Sequence, residues 1–365
     1  MKRINKFCLF VVLFAISATL QAQIDTISSK SLLLKGKIKK IEDYSYFLEP
    51  NLVGKTKVDN KKFEIFPLSE DWNIERDKTK YSKTNISYAF DKAGKNMDVT
   101  TYISEKKPFG GMKFKYDVQG KIIESQTVFT ASDGDFVVDK KYFYNEKNQL
   151  VKIDEHEASE WLLTMTFKYD DLGNCIEKNK VASLSVLEKD IQKYEEKNLI
   201  LEKKIRSDYT REKHYKYNNF DKVTHTEELF PDLGIFLKVE NEYDKENNLI
   251  KSKYLNEDNQ ETICVHKYYK GKLVQTICTA NDDPTFYLET NFSYGASGET
   301  ETIKTKTEVI SKKVYNKNGL LVLHKTAEFD HRYKYSFDKK GNWREVILYE
   351  NNTPTKIRFR KIEYY

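Results

Sequence analysis

Thr166-Phe167-Lys168-Tyr169-Asp170-Asp171-Leu172-Gly173-Asn174-Cys175-Ile176 decides the reading of this 365-residue chain. Phe167 and Tyr169 alternate with polar residues, as on a half-buried strand. Asp170 can bond its own backbone and start a turn, Gly173 tolerates positive φ, and an apolar pair follows. The stretch therefore reads as strand, tight turn, strand.

Working outward, the same unit recurs. An aromatic anchor is followed by Asp or Asn, then by Gly or Asn four residues on, then by an apolar residue at about the sixth. The anchors are Phe90, Tyr116, Tyr144, Tyr169, Tyr194, Tyr217, Tyr243, Tyr268, Tyr294, Tyr315 and Phe337, spaced 26, 28, 25, 25, 23, 26, 25, 26, 21 and 22 residues apart. A fixed period of this length marks a repeat architecture. Two residues before many anchors stands another aromatic on the same face: Tyr88, Phe114, Tyr142, Phe167, Tyr215, Phe292 and Tyr335. The returning strand is expected to place Ile122, Leu150, Cys175, Ile200, Val223, Leu249, Leu321 and Trp343 opposite the anchors. Such cross-strand pairs contribute roughly 0.2–1 kcal/mol each. Only many hairpins side by side sustain a sheet of this kind.

A period near 25 leaves about eight residues per strand, roughly 26 Å at 3.3 Å rise, and a ribbon on the order of 100 Å long. Open sheets of that many strands twist and coil. The expected fold is all-β: an array of antiparallel β-hairpin repeats forming one long twisted or coiled sheet over 88–365. Residues 23–87 precede the clear repeats and read as an N-terminal capping segment, because the end of an array must be blunted.

The unit is similar to the YD repeat of the Rhs-type family, seen best in Tyr116-Asp117-Val118-Gln119-Gly120-Lys121-Ile122 and Phe337-Asp338-Lys339-Lys340-Gly341-Asn342-Trp343. The resemblance covers roughly 88–349. It implies hairpins wound into a spiral sheet, which in large members forms a shell around a C-terminal toxin. Here the copies at Tyr194-Glu195 and Tyr268-Tyr269 depart from the pattern, and the period is longer than the family's usual unit.

Lys2, Arg3 and Lys6, the apolar run Phe7–Leu20, and Leu20-Gln21-Ala22 before Gln23 read as a signal peptide over 1–22. Cys8 lies too early to be a lipid-attachment site. The pattern resembles exported proteins of Bacteroidota-type bacteria and implies a secreted, periplasmic or cell-envelope location. The 62 basic against 56 acidic residues give a formal charge of +6, or +3 without Lys2, Arg3 and Lys6. With both signs interspersed, this is no nucleic-acid footprint. Charges fall in both phases of the strands, as at Lys203-Lys204 and Arg344-Glu345, against the continuous lipid-facing set of an outer-membrane barrel. No integral membrane segment is expected after cleavage.

Of the remaining cysteines, Cys264 and Cys278 lie symmetrically about Gly271, so a hairpin would set them opposite for a possible disulfide. The other reading is two half-buried thiols acting as small apolar residues. His214 and His225 could face each other across one hairpin, and His324 and His331 across another connection; neither pair has a specified third ligand. Asp133-Gly134-Asp135 and Asn281-Asp282-Asp283-Pro284 lack the ligand ladder of a calcium loop. There is no nucleophile elbow, P-loop, HExxH or dinucleotide fingerprint. The expectation is a non-enzyme without metal or cofactor.

Tyr142, Tyr144, Tyr215, Tyr217, Tyr333 and Tyr335 are the candidate binding-surface aromatics, since sugars stack on such rings; the alternative is that they pack the sheet. The sequence thus points to a binding or scaffold surface for carbohydrate or protein. Its rival readings are a shell or escort for a separately encoded cargo such as a toxin, and a surface hydrolase with a spatially assembled acidic pair.

Overall fold

The computed structural model describes residues 34–48, 61–64, 85–104, 107–131, 134–158, 160–182, 185–230, 235–258 and 260–365. The predicted leader, most of segment 23–87 and Asp133 lie outside them. The described residues form twenty-five strands and no helix. Following β1 (Ile38–Leu48) and β2 (Lys61–Phe63), the strands from β3 (Ile86–Phe90) to β24 (Trp343–Glu350) pair antiparallel in chain order as eleven hairpins, and β25 (Thr353–Tyr364) ends the chain.

Each hairpin turns at its anchor. The backbone N–H of Gly120 donates to Asp117 O at 2.9 Å, and the Asp117 carboxylate accepts from Lys121 N at 2.8 Å. The same carboxylate or amide cap recurs at Asp91, Asn145, Asp170, Asn218, Asp244, Asn316 and Asp338. The left-handed position falls to Gly120 at φ 84°, Asn148 at 65°, Gly173 at 91° and Asn247 at 61°. This is the residue preference the repeat displays.

The apolar residue of each unit then lands opposite its anchor: Ile122 on Tyr116, Leu150 on Tyr144, Cys175 on Tyr169, Val223 on Tyr217, Leu249 on Tyr243, Leu321 on Tyr315 and Trp343 on Phe337. Tyr194 is the exception, facing Leu199 rather than Ile200, because its loop is only Glu196-Lys197. Ten of the eleven hairpins carry a register shift at the anchor; only that of Tyr294 does not. A bulge inserts one residue, bends the strand and raises its twist. Repeated at the same end of successive hairpins, it curves the whole sheet in one sense.

That curvature overturns the expected open, coiled ribbon: the sheet closes. β1 pairs with β25 from Ile38–Tyr364 to Phe47–Lys356 and, on its other side, with β3 over Lys40–Asp43. Twenty-four strands complete one barrel, and β2 lies against the end of β1. At about 4.8 Å per strand the perimeter is about 115 Å, before strand tilt enlarges it. Closure abolishes both sheet edges.

Alternation gives each strand two faces. The anchor face holds most of the buried apolar residues, in three clusters centred on Phe114–Tyr142–Phe167, on Tyr333–Trp343–Leu348, and on Ile41–Tyr88–Phe90. Each cluster spans only neighbouring strands, and the substantial strand-to-strand contacts likewise run between ring neighbours. The barrel has a wall and no shared central core among the described residues.

The seam is the most deeply packed part of that wall. Arg358 is 1% exposed and donates to Asp43 through Nε at 2.5 Å and Nη2 at 2.8 Å. Arg360 also reaches Asp43, at 3.1 Å, and its guanidinium sits 3.5 Å over the Trp343 ring. Lys356 pairs with Glu64 at 2.9 Å, and Asn85 bridges Ser45 N and Glu64 O.

Candidate functional site

The six candidate tyrosines share the anchor face, but none stands free. Tyr142 and Tyr333 are buried, at 9% and 4% exposure, and the other four are half-buried. Tyr142 meets the Ser125 hydroxyl at 2.9 Å. Tyr144 donates to Ile122 O at 2.9 Å, Tyr217 to Leu199 O at 2.8 Å and Tyr335 to Leu321 O at 2.5 Å. Tyr215 points its hydroxyl at Glu202, 3.5 Å away; burial, then that carboxylate, pushes its pKa up.

These bonds belong to a longer series. Tyr116, Tyr169, Tyr243 and Tyr294 donate to the carbonyls of Asn96, Leu150, Val223 and Leu273. In each case the hydroxyl reaches the residue facing the anchor of the preceding hairpin, 18 to 22 positions back. Burial pushes Tyr116, Tyr144 and Tyr169 up to about 12. The anchor thus serves twice: its ring packs its own hairpin and its hydroxyl ties that hairpin to the one before. A Phe anchor, as at Phe90 and Phe337, keeps only the first role.

Aromatic surface is exposed elsewhere. Tyr269 is 64% exposed, Phe337 43%, Phe129 47%, Phe136 40% and Trp161 42%. Tyr269 immediately follows an anchor, so it falls on the opposite face. Phe129 and Phe136 face each other beside the far-end turn, with ring centroids 6.3 Å apart. The sequence signal for these residues is their distance from the anchor, which the repeat reading left unused.

Cys264 and Cys278 are directly opposed across β17 (Glu261–Tyr269) and β18 (Lys272–Ala280) and joined as a disulfide. Cys175 is a buried free thiol with its pKa raised by burial. His214 and His225 do not meet: the register sets them opposite Glu227 and Lys216. His324 and His331 do face each other, with Phe329 packed on both rings at 4.9 and 4.1 Å. Burial, then Lys313 and His331, lowers His324 to about 4. Asp283 accepts from Thr285 N at 2.8 Å and so builds its own turn. Among the described residues no group of three or more His, Cys, Asp or Glu could hold a metal ion.

Charge occupies both faces in mid-strand. On the anchor face Lys140 pairs with Glu155 at 2.5 Å, Arg206 with Asp190 at 2.7 Å and Lys213 with Glu228 at 3.1 Å. On the other face Lys168 pairs with Glu177 and Lys203 with Glu212, each at 2.7 Å. The Lys168 bond, followed by Asn179, holds Glu177 down to about 2. Neither face carries an unbroken apolar band.

No protein-family model and no curated protein matches the chain. Among solved structures, TcdB2-TccC3 is 12% identical over 74% of this chain and 18% of its own, with a TM-score of 0.28. The TcdB2-TccC3-Cdc42 structure is 12% identical over 86% and 20%, with a TM-score of 0.27. A porin-like protein from Bacteroides uniformis is 10% identical over 62% and 96%, also at 0.27. The chain spans about a fifth of the TcdB2-TccC3 chain. Likenesses at these TM-scores carry no argument.

Proposed function

We propose that this is an exported, non-catalytic shell or scaffold: a closed wall that surrounds a space and holds a protein or carbohydrate guest. The observation that carries this reading is a barrel closed on itself whose packing contacts run only around the ring. A 24-stranded ring is far wider than the eight-stranded size that side chains can fill. Mid-strand ion pairs on both faces favour water on both sides of the wall over a lipid band about 25 Å tall. Enclosure by the wall, rather than stacking on free aromatic rows, is the better-supported mode of holding a guest, because the six candidate tyrosines are tied into the sheet.

Expression with its own leader, fractionation without detergent, and small-angle X-ray scattering test this reading. The expected result is a detergent-free soluble particle whose scattering fits a hollow wall. Recovery only in detergent, or the scattering of a solid globule, overturns it.

A further inference from the structure

The barrel's two ends differ in charge. All eleven anchor turns lie at one end, and β25 finishes there beside the residues that lead into β1. In the sector from β17 to β25 this end is basic. Lys35, Lys37, Lys270, Lys317, Lys339 and Lys340 are all exposed, and none of them is ion-paired with a described residue. Lys340 Nζ lies 3.7 Å over the Tyr364 ring and Lys270 Nζ 5.3 Å over exposed Tyr269. Asp338, the acid among these turns, is consumed by bonds from Lys340 N, Asn342 N and the Tyr364 hydroxyl.

The opposite end of the same strands is acidic. Glu257, Asp258, Asp282, Glu308 and Glu328 are exposed in its turns. Lys306, the basic residue among them, is held by Pro284 O at 2.7 Å. Strands of seven to nine residues from β17 to β22 set the two ends roughly 25 Å apart. The Debye length is about 10 Å at 0.1 M salt, so each end presents its own field. In mid-wall the lysines are paired with carboxylates; at the ends the signs are separated.

We propose that copies of this chain associate end to end, the lysine-rich rim of one barrel seated on the acidic rim of the next. Both complementary surfaces belong to the same molecule, which makes a second copy the occupant that the charges fit. The contact is heterologous, so it extends along the barrel axis instead of closing as a dimer. It adds to the shell reading without depending on it, since the rim charges are the same whatever the wall encloses.

Sedimentation velocity of the full mature chain at low and high salt tests this. Wild type associates at low salt, and a tenfold rise in salt weakens association by at least about tenfold. Lys339→Glu/Lys340→Glu/Lys317→Glu leaves both rims acidic, and Glu257→Lys/Asp258→Lys/Glu328→Lys leaves both basic; each variant alone is monomeric. Mixed, the two associate with each other, and circular dichroism of each variant alone verifies that it is folded. A wild type that stays monomeric at low salt, or swapped variants that ignore one another, overturns the proposal. So does binding of the wild type to anionic phospholipid vesicles with no self-association.

Discussion

Asp43→Ala is the sharpest probe of the closed wall. Asp43 and Arg358 have side chains only 3% and 2% exposed, and two of the guanidinium nitrogens donate to the one carboxylate. Taking one partner from a buried ion pair strands the other charge in low dielectric and costs about 3–5 kcal/mol. The Trp343 ring under Arg358 at 5.1 Å offsets part of that loss, since a desolvated cation–π contact contributes about 2 kcal/mol. Arg360, a second donor to Asp43, adds to the loss. A net cost of about 3 kcal/mol follows. Urea midpoints read by tryptophan fluorescence measure it, and amide exchange in β1 and β25 shows whether the seam opens before the wall melts. Lys115→Ala, which breaks the exposed Lys115–Glu124 pair, serves as the control and should leave the midpoint unchanged. Asp43→Leu with Arg358→Met removes both charges and should be far milder than Asp43→Ala. If Asp43→Ala behaves like the control, or the double variant is as damaged as the single one, the seam is not what closes the barrel.

Three further outcomes are expected. Tyr144→Phe keeps the ring and loses the bond to Ile122 O, lowering stability by about 0.5–1.5 kcal/mol in urea melts. Tyr217→Phe and Tyr243→Phe, in other hairpins, should add to it nearly independently. Gly298→Ala should cost at least about 1–3 kcal/mol by the same assay: at φ 138° only glycine is unstrained, and a Cβ would stand 1.9 Å from Tyr315 O. His324 is held neutral by burial and by Lys313, with a folded pKa of about 4 against an ordinary 6.5. The unfolded chain therefore binds the proton more readily between those values. Stability from this site is complete above pH 6.5 and is lost as pH falls toward 4, and His324→Leu should flatten that slope in melting temperature against pH.

Local chemistry was legible in the chain itself. An aromatic, a turn-capping Asp or Asn and a residue at positive φ recur at one spacing, and short-range hydrogen bonding suffices to place each hairpin and its facing pair. The reading slipped at Tyr194, where Glu195-Glu196-Lys197-Asn198 makes a shorter loop and moves Leu199 into the place expected for Ile200. It slipped again at His214 and His225, because the anchor bulge shifts the register by one beyond Tyr217. Equal distance from a loop does not make two residues partners when one strand carries an extra residue. The candidate tyrosines were chosen correctly as one face, but the carbonyls that take up their hydroxyls lie about twenty residues away, in another hairpin.

Strand identity, turn position and the repeating antiparallel order were determined by the sequence, because each depends on residues within one period of about 25. Whether the ribbon stays open was decided only in three dimensions. Curvature accumulates from ten small bulges, and its result rests on Asp43 meeting Arg358, 315 residues later. No window of sequence contains that contact. It exists only once the intervening wall has bent far enough to bring its two edges onto β1.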